Sequence, residues 1–156
     1  MKRTVFCIAL FALCFSLFSC SGEVRAEHCE LGILLPRGFD KKDTDGVFDV
    51  VYSDGELTVG ITRISYASLV DEGISPTLSP RAFAELYKRG EGIDKTVHEY
   101  GDTVYYTYTL GSERYLPTFY RTPYAYFIIT FAFAEGGAWD IEGALELTNT
   151  VYLIAS

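Results

Sequence analysis

The residue types of a calcium-binding loop occur at Asp43, Asp45 and Gly46. With Gly46 as the sixth residue of such a loop, the two aspartates occupy positions three and five. Position one is then Lys41 and position twelve is Tyr52, so the first ligand and the bidentate glutamate are missing. We therefore predict a solvated acidic loop between strands at this point, and no metal site.

The other residues that commonly carry catalysis show no recognised spacing. His28 and His98 lack the further Cys or His ligands that a zinc site needs, and Ser75 is followed by proline and does not lie in a nucleophile elbow. We expect Cys29 to be a buried residue at the start of a strand; the alternative is a reactive thiol. No pattern marks a pair of facing carboxylates of the kind that glycoside hydrolases use. The sequence thus predicts no catalytic residue, no metal and no cofactor.

Tyrosine is the residue type whose distribution points to binding. Eight of the 12 tyrosines lie within one stretch, namely Tyr100, Tyr105, Tyr106, Tyr108, Tyr115, Tyr120, Tyr124 and Tyr126. Tyrosine combines a broad apolar ring with a polar hydroxyl, so such a set either packs a sheet under helices or lines a binding face. We favour packing, with Tyr106 and Tyr108 in the core and Tyr105 partly exposed. If a binding face exists, its candidate residues are Tyr105 and Arg121.

The N-terminus has the composition of an export signal. Lys2 and Arg3 precede an uncharged, mostly apolar run from Val5 to Phe18. This run is too short to span about 30 Å of hydrocarbon, which takes about 20 residues, and the residues that follow it are polar.

The end of this run, Leu17-Phe18-Ser19-Cys20, resembles the lipobox of bacterial lipoproteins. In that family the cysteine thiol is acylated and the cysteine becomes the new N-terminus. The resemblance implies a signal peptide over residues 1–19 and a lipid anchor on Cys20, which would hold a bacterial protein on the outer face of the cytoplasmic membrane or in the outer membrane. The alternative is cleavage after Val24-Arg25-Ala26, an A-x-A-like pattern. Residues 20–28 are polar and lack periodicity, so we predict a tether there and a single domain over residues 29–156.

Net charge limits the possible partners, and the cysteine content limits the possible disulfides. Without Lys2 and Arg3 the chain has 11 basic and 21 acidic residues, a net charge of about −10. Such a body is repelled by nucleic acid, which we exclude as a partner. Once Cys20 is acylated, Cys29 is the one cysteine left outside the signal, so no internal disulfide can form.

Hydrophobic periodicity and turn residues predict an α+β domain. Leu57, Val59 and Ile61 alternate with polar or small residues, as in a half-buried strand, whereas residues 124–133 are apolar on both faces and predict a central strand covered twice. Ser79-Pro80 and Gly90 have the residue types of a helix start and stop. The predicted strands cover residues 31–35, 47–52, 56–64, 96–100, 103–110, 114–120 and 124–133, and the predicted helices cover residues 79–90 and 139–150. This order favours a twisted antiparallel sheet covered by helices.

The segment Leu31-Gly-Ile-Leu-Leu-Pro-Arg-Gly-Phe39 resembles the opening of the PsbP-like fold, which is named for the photosystem II extrinsic subunit P. The helix from Ser79 and the aromatic hairpins before a final helix are similar too. The resemblance covers nearly the whole exported chain. It implies an α/β/α sandwich and a binding or accessory role without catalysis, and it transfers no set of functional residues to this chain.

Together these observations predict a lipid-anchored, non-enzymatic binding or accessory protein outside the cytoplasmic membrane. Its expected partners are the membrane, through the lipid anchor, and an extracytoplasmic protein or small molecule. Two alternatives stay open: an extracytoplasmic hydrolase acting on envelope material, and a structural subunit of a membrane complex.

Overall fold

The computed structural model describes residues 22–44, 46–90 and 95–155. The proposed signal and Cys20 lie outside these residues, as does Asp45. Within them the strands are β1 (Val24–His28), β2 (Leu31–Leu35), β3 (Asp40–Lys42), β4 (Val50–Ser53), β5 (Leu57–Ser65), β6 (His98–Tyr100), β7 (Thr103–Tyr105), β8 (Tyr108–Leu110), β9 (Glu113–Arg121), β10 (Ala125–Phe133) and β11 (Tyr152–Leu153). The helices are α1 (Tyr66–Asp71), α2 (Pro80–Gly90) and α3 (Ile141–Thr148). None of these helices is long and apolar enough to cross a membrane.

A main antiparallel sheet organises the described part of the chain, in the order β3-β4-β5-β10-β9-β7-β6, with β8 also paired to β9. Strand β10 is central, because it pairs with β5 along its whole length and with β9 over residues 126–133. Its residues from Ala125 to Phe131 are all buried, which confirms the prediction of a strand covered on both faces.

Different elements cover the two faces of the main sheet. A small sheet, β1-β2-β11, and helix α3 pack on one face, which we call the sheet-side face; its core includes Leu57, Val59, Ile61, Leu116, Phe127, Ile129 and Phe131. Helices α1 and α2 pack on the other, which we call the helix face; its core includes Phe83, Val104, Tyr106, Phe119, Tyr126 and Ile128. The α+β prediction of an antiparallel sheet covered by helices is confirmed, and the second small sheet is an addition to it.

The tether prediction for residues 20–28 is wrong over residues 24–28. These residues form β1, which pairs with β2 from Val24 opposite Leu35 to His28 opposite Leu31. The Ala26 side chain is fully buried in the sheet-side core, because inward and outward positions alternate along the strand. Its small inward residue gave a weak apolar signal, so this strand was missed.

The expectation of a buried Cys29 is also wrong. Cys29 and Glu30 form the two-residue turn between β1 and β2, and Cys29 is exposed with a φ of 51°. A positive φ at the first central residue is usual in two-residue hairpin turns, and here that residue lies at the exposed tip of the hairpin rather than inside a strand.

The predicted strand over residues 103–110 is split into β7 and β8. Both parts pair with β9 in one continuous register, from Tyr105 opposite Thr118 to Tyr108 opposite Tyr115. This register places Tyr106 opposite Pro117, which has no backbone N–H to donate to the ladder. The proline therefore interrupts the strand pairing at Tyr106 without shifting the register.

Helix α2 begins as predicted. The Ser79 hydroxyl accepts a hydrogen bond from the Ala82 N–H at 3.1 Å, and Pro80 is the first helical residue. Phe83 is buried, whereas Leu86, three residues further along the helix, is 37% exposed.

Helix α3 begins at its N-cap Asp140, whose carboxylate accepts from the Gly143 N–H at 2.8 Å. Its inward residues Ala144, Leu145 and Thr148 are buried. Helix α1 was not foreseen, because it follows β5 directly and its only start signal is the Ser65 N-cap.

Candidate functional site

The part of the helix face that α1 and α2 leave uncovered forms a groove of about 360 Å³, which we call the tyrosine groove. Its floor comes from β5, β10 and β9, and its rims come from β8 and from the segment before β4. The lining residues are Val47, Phe48, Thr62, Tyr87, Tyr106, Tyr108, Leu110, Tyr115, Pro117, Ile128 and Thr130.

Aromatic packing under α2 closes one end of the groove. Phe83 stacks on Tyr126 with ring centroids 4.2 Å apart and meets Phe119 edge-on at 6.1 Å. One turn further along the helix, the ring centroid of Tyr87 lies 5.8 Å from that of Phe119, and Tyr87 also lines the groove. The helix ends at Gly90, so the sheet surface beyond Tyr87 is left as a concave floor.

Phe48 forms one wall because Gly60 has no side chain. A Cβ placed on Gly60 would lie 2.5 Å from the Phe48 ring, so a side chain at that position of β5 would displace the ring. The neighbouring Asp49 holds the segment in place: its N–H donates to the Ile61 carbonyl at 3.0 Å, and its carboxylate accepts from the Arg63 N–H at 2.7 Å.

Stacked tyrosines form the opposite wall. The rings of Tyr108 and Tyr115 are 5.0 Å apart and nearly parallel, at 12°, as expected for residues that face each other across β8 and β9. The Tyr115 hydroxyl donates to the Glu113 carboxylate, and this hydrogen bond together with burial raises the pKa of Tyr115 to about 12. Leu110, at the outer end of this wall, is 69% exposed.

The lining of the tyrosine groove is uncharged. Its polar groups are the hydroxyls of Thr62, Thr130 and the tyrosines, and it contains no carboxylate, imidazole, thiol or amine. Its volume lies within the range of about 300–1,000 Å³ typical of small-molecule sites, which are mostly apolar with few polar groups. Such a surface suits the binding of an uncharged, largely apolar ligand and offers no general acid, base or activated nucleophile near neutral pH.

The structure separates the two residues proposed from the sequence. Tyr105 is half-buried against the sheet-side core, with its ring 5.5 Å from that of His98. Arg121 lies at the end of β9, where its Nε donates to the Tyr66 hydroxyl at 3.1 Å, and this hydrogen bond raises the pKa of Arg121. Tyr66 in turn donates to the Thr122 carbonyl, so Arg121 ties α1 to the sheet. Neither residue lines the tyrosine groove.

The tyrosines divide between core and groove. Tyr106 is fully buried, which confirms its assignment to the core, and Tyr105 is partly exposed, as expected. Tyr108 is half-buried and lines the groove, so its assignment to the core is wrong. Sequence periodicity put Tyr106 and Tyr108 on one face correctly, but it could not show that other segments of the chain cover Tyr106 completely and Tyr108 only in part.

A second cavity, of about 580 Å³, lies beside β11 and the end of α3 and is lined in part by Arg121, Asp102, Tyr120, Thr103 and Thr148. Its interior hydroxyls serve the fold. Thr103 donates to the Thr148 hydroxyl at 3.2 Å, and Thr148 donates to the Leu145 carbonyl at 2.5 Å. Burial raises the pKa of the Tyr120 phenol beside them.

His28, Cys29 and Asp49 meet at the β1–β2 turn, a contact that sequence reasoning missed. The His28 Nε2 lies 3.7 Å from the Cys29 Sγ and 3.3 Å from an Asp49 carboxylate oxygen. Both neighbours share one ring nitrogen, whereas a nucleophile–histidine–acid relay needs the two ring nitrogens on opposite sides. Among residues 22–44, 46–90 and 95–155, no three His, Cys, Asp or Glu side chains are grouped so that they could hold a metal ion.

No family model matches this chain, and no curated protein does. Several solved structures are similar to it, among them the following two. One is a crystal structure from Bacteroides thetaiotaomicron VPI-5482, with 11% identity and a TM-score of 0.56 over 86% of this chain; the chain spans about half of that protein, 48%. The other is the solution structure of cyanobacterial PsbP (CyanoP) from Synechocystis sp. PCC 6803, with 17% identity and a TM-score of 0.47 over 88% of this chain and 95% of CyanoP. The likeness is one of fold. A PsbP protein is thus among the structures that this chain resembles, and no function is transferred from either.

Proposed function

We propose that this chain is an exported, lipid-anchored, non-catalytic binding protein whose ligand site is the tyrosine groove. The observation that carries the binding role is a concave groove of about 360 Å³ with an uncharged lining on the helix face. A groove of tyrosine rings and aliphatic side chains provides apolar area with hydroxyls at its edges, the composition of a binding surface.

Strand β1 supports cleavage before Cys20 over cleavage after Ala26. A cut after Ala26 would remove Val24, Arg25 and Ala26, which pair with Leu35, Leu34 and Ile33 of β2. It would also take the fully buried Ala26 side chain out of the sheet-side core. A cut before Cys20 leaves the whole of β1 in the mature protein.

The same strand shortens the link between anchor and domain. With β1 beginning at Val24, three residues lie between the strand and the acylated Cys20, and the four steps from Cys20 to Val24 span at most about 14 Å when fully extended. The domain would therefore be held directly at the membrane surface.

Crosslinking in intact bacteria tests the binding role. A photo-crosslinking benzoylphenylalanine replaces Leu110 at the rim of the groove, and the matched control replaces Val70 on α1, which is 58% exposed and does not line the groove. We expect a defined adduct from position 110 that is absent at position 70. Equal adducts at both positions, or none at position 110, would contradict a ligand site in the groove.

The identity of an adduct also separates the alternatives. Stoichiometric capture of one membrane protein at both positions would favour a structural subunit of a membrane complex. Turnover of cell-wall material by the purified protein would favour an envelope hydrolase.

A further inference from the structure

We infer that the ligand of the tyrosine groove is a hydrocarbon chain of a membrane lipid, which enters from the bilayer that carries the anchor. This inference rests on the proposed function, because the lipid anchor sets the position of the domain relative to the membrane.

Strand registers place the start of β3 and the β8–β9 turn at the same end of the main sheet. Asp40 of β3 pairs with Ser53 at the end of β4, next to the β4–β5 turn. After that turn, Leu57 of β5 pairs with Phe133 at the end of β10, and Phe133 also pairs with Arg114 of β9. The neighbouring Glu113 pairs with Leu110 at the end of β8. The start of β3, the end of β10 and the end of β8 therefore lie at the same end of the sheet, which we call the anchor end.

Gly22, the first described residue, lies beside the loop that leads to the anchor end. A Cβ on Gly22 would be 3.4 Å from the Arg37 side chain, in the short connection between β2 and β3. Cys20 is two residues before Gly22, so its acyl chains start within about 7 Å of that point. The lipid surface is thus held against the anchor end.

The groove runs toward the same end. Tyr87 of α2 closes its inner end, whereas Leu110 and the stacked pair of Tyr108 and Tyr115 line it next to the Gly111–Ser112 turn. Val47 and Leu110 are exposed apolar residues of the lining, 64% and 69% exposed respectively. Exposed apolar side chains of this kind commonly mark interaction sites where they line a groove.

The chemistry of the lining selects a hydrocarbon chain over a sugar or an ion. An ion would find no counter-charge, and burying an unpaired charge is strongly unfavourable. A sugar is usually fixed by carboxylate or amide side chains, and the lining has neither: its polar groups are the hydroxyls of Thr62, Thr130 and the tyrosines, and the Tyr115 hydroxyl is already bonded to Glu113. Tyrosine rings with Phe48, Ile128 and Leu110 instead match a chain of methylene groups, whose removal from water is favourable in itself.

The test uses the full chain with benzoylphenylalanine at position 110 or 70, expressed in bacteria whose lipids carry deuterated acyl chains. After illumination, trypsin releases residue 110 in the peptide 96–114 and residue 70 in the peptide 64–81. We expect a lipid-mass adduct with the deuterium shift on the first peptide, and roughly tenfold less on the second, in line with burial of a few methylene groups.

A pair of charge substitutions makes the result specific to the groove. Thr62→Glu puts a carboxylate into the floor, and we expect it to reduce the lipid adduct at position 110 roughly tenfold. Thr109→Glu adds the same charge on an exposed residue of β8 that does not line the groove, and it should leave the adduct unchanged. Circular dichroism of each purified variant shows whether it is folded.

The remaining outcomes separate this inference from the proposed function. A protein or sugar adduct at position 110 and not at position 70 would overturn the lipid inference and leave the binding role intact. An adduct that contains the protein's own Cys20 lipopeptide would overturn entry of a separate membrane lipid. Equal lipid adducts at both positions, unaffected by Thr62→Glu, would overturn both proposals.

Discussion

Truncation of Tyr126 should be among the most destabilising single changes in this protein. Its side chain is fully buried, its ring stacks on Phe83 at 4.2 Å and meets Tyr66 edge-on at 5.6 Å, and its hydroxyl donates to the Leu78 carbonyl at 2.5 Å. Removing a buried aromatic ring costs about 3–5 kcal/mol. Of this, the aromatic contacts account for about 0.5–1.5 kcal/mol and the hydrogen bond for about 1 kcal/mol.

Two companion variants separate these contributions. Tyr126→Phe keeps the ring and removes only the hydroxyl, so we expect it to cost about 1 kcal/mol. Tyr124→Ala, two residues earlier and 60% exposed, should change the free energy of unfolding by less than about 0.5 kcal/mol.

Urea unfolding of the mature chain, followed by circular dichroism, measures all three variants through the transition midpoint at constant slope. The same assay extends to the groove. Tyr106→Ala should cost about 3 kcal/mol or more, because Tyr106 is fully buried, and Tyr108→Ala and Tyr105→Ala should cost less. Equal, small losses at Tyr105, Tyr106 and Tyr108 would refute this reasoning and indicate an open tyrosine surface.

Four further outcomes are expected. Mass spectrometry of the mature protein should show a chain that begins at acylated Cys20, and a start at Glu27 without lipid would contradict this. Reductant and chelator should leave the midpoint of thermal unfolding unchanged, whereas a drop of many degrees with either would reveal a stabilising disulfide or metal site. Burial opposes the shift, but the hydrogen bond from Arg63 lowers the pKa of Glu30. The stability that Glu30 contributes should therefore be present above its ordinary pKa of 4.5 and be lost as the pH falls through the lower folded value, and Arg63→Gln should reduce this loss. Stability contributed by Tyr115 should be present below pH 10 and fall as the pH rises toward about 12, and Tyr115→Phe should flatten that slope.

Local signals were sufficient for several elements. Strand β2 has the bounds predicted from its aliphatic run, and α2 starts at the Ser79 cap and Pro80 as predicted. The central position of β10 followed from its two apolar faces, because a strand with no polar face must be covered on both sides. In each case, neighbouring residues along the chain carry the information.

Elements that depend on distant partners were missed. Strand β1 holds its place through β2 and the buried Ala26, and β11 is two residues long and exists as a strand only through pairing with Leu31 and Gly32. The close approach of Tyr152 to Gly32, where a Cβ would lie 2.6 Å from the ring, joins residues far apart in sequence. Periodicity within a window cannot detect such contacts.

The fold class, the central strand, the start of α2 and the shared face of Tyr106 and Tyr108 could be predicted from the sequence, because propensity, caps and side-chain alternation act between neighbours in the chain. The tertiary contacts show that Tyr106 is fully buried whereas Tyr108 is half-buried in a groove. That difference depends on which part of the sheet α2 covers and on Phe48 lying over Gly60. Burial is a property of what covers a residue, and here the covering side chains come from other segments of the chain.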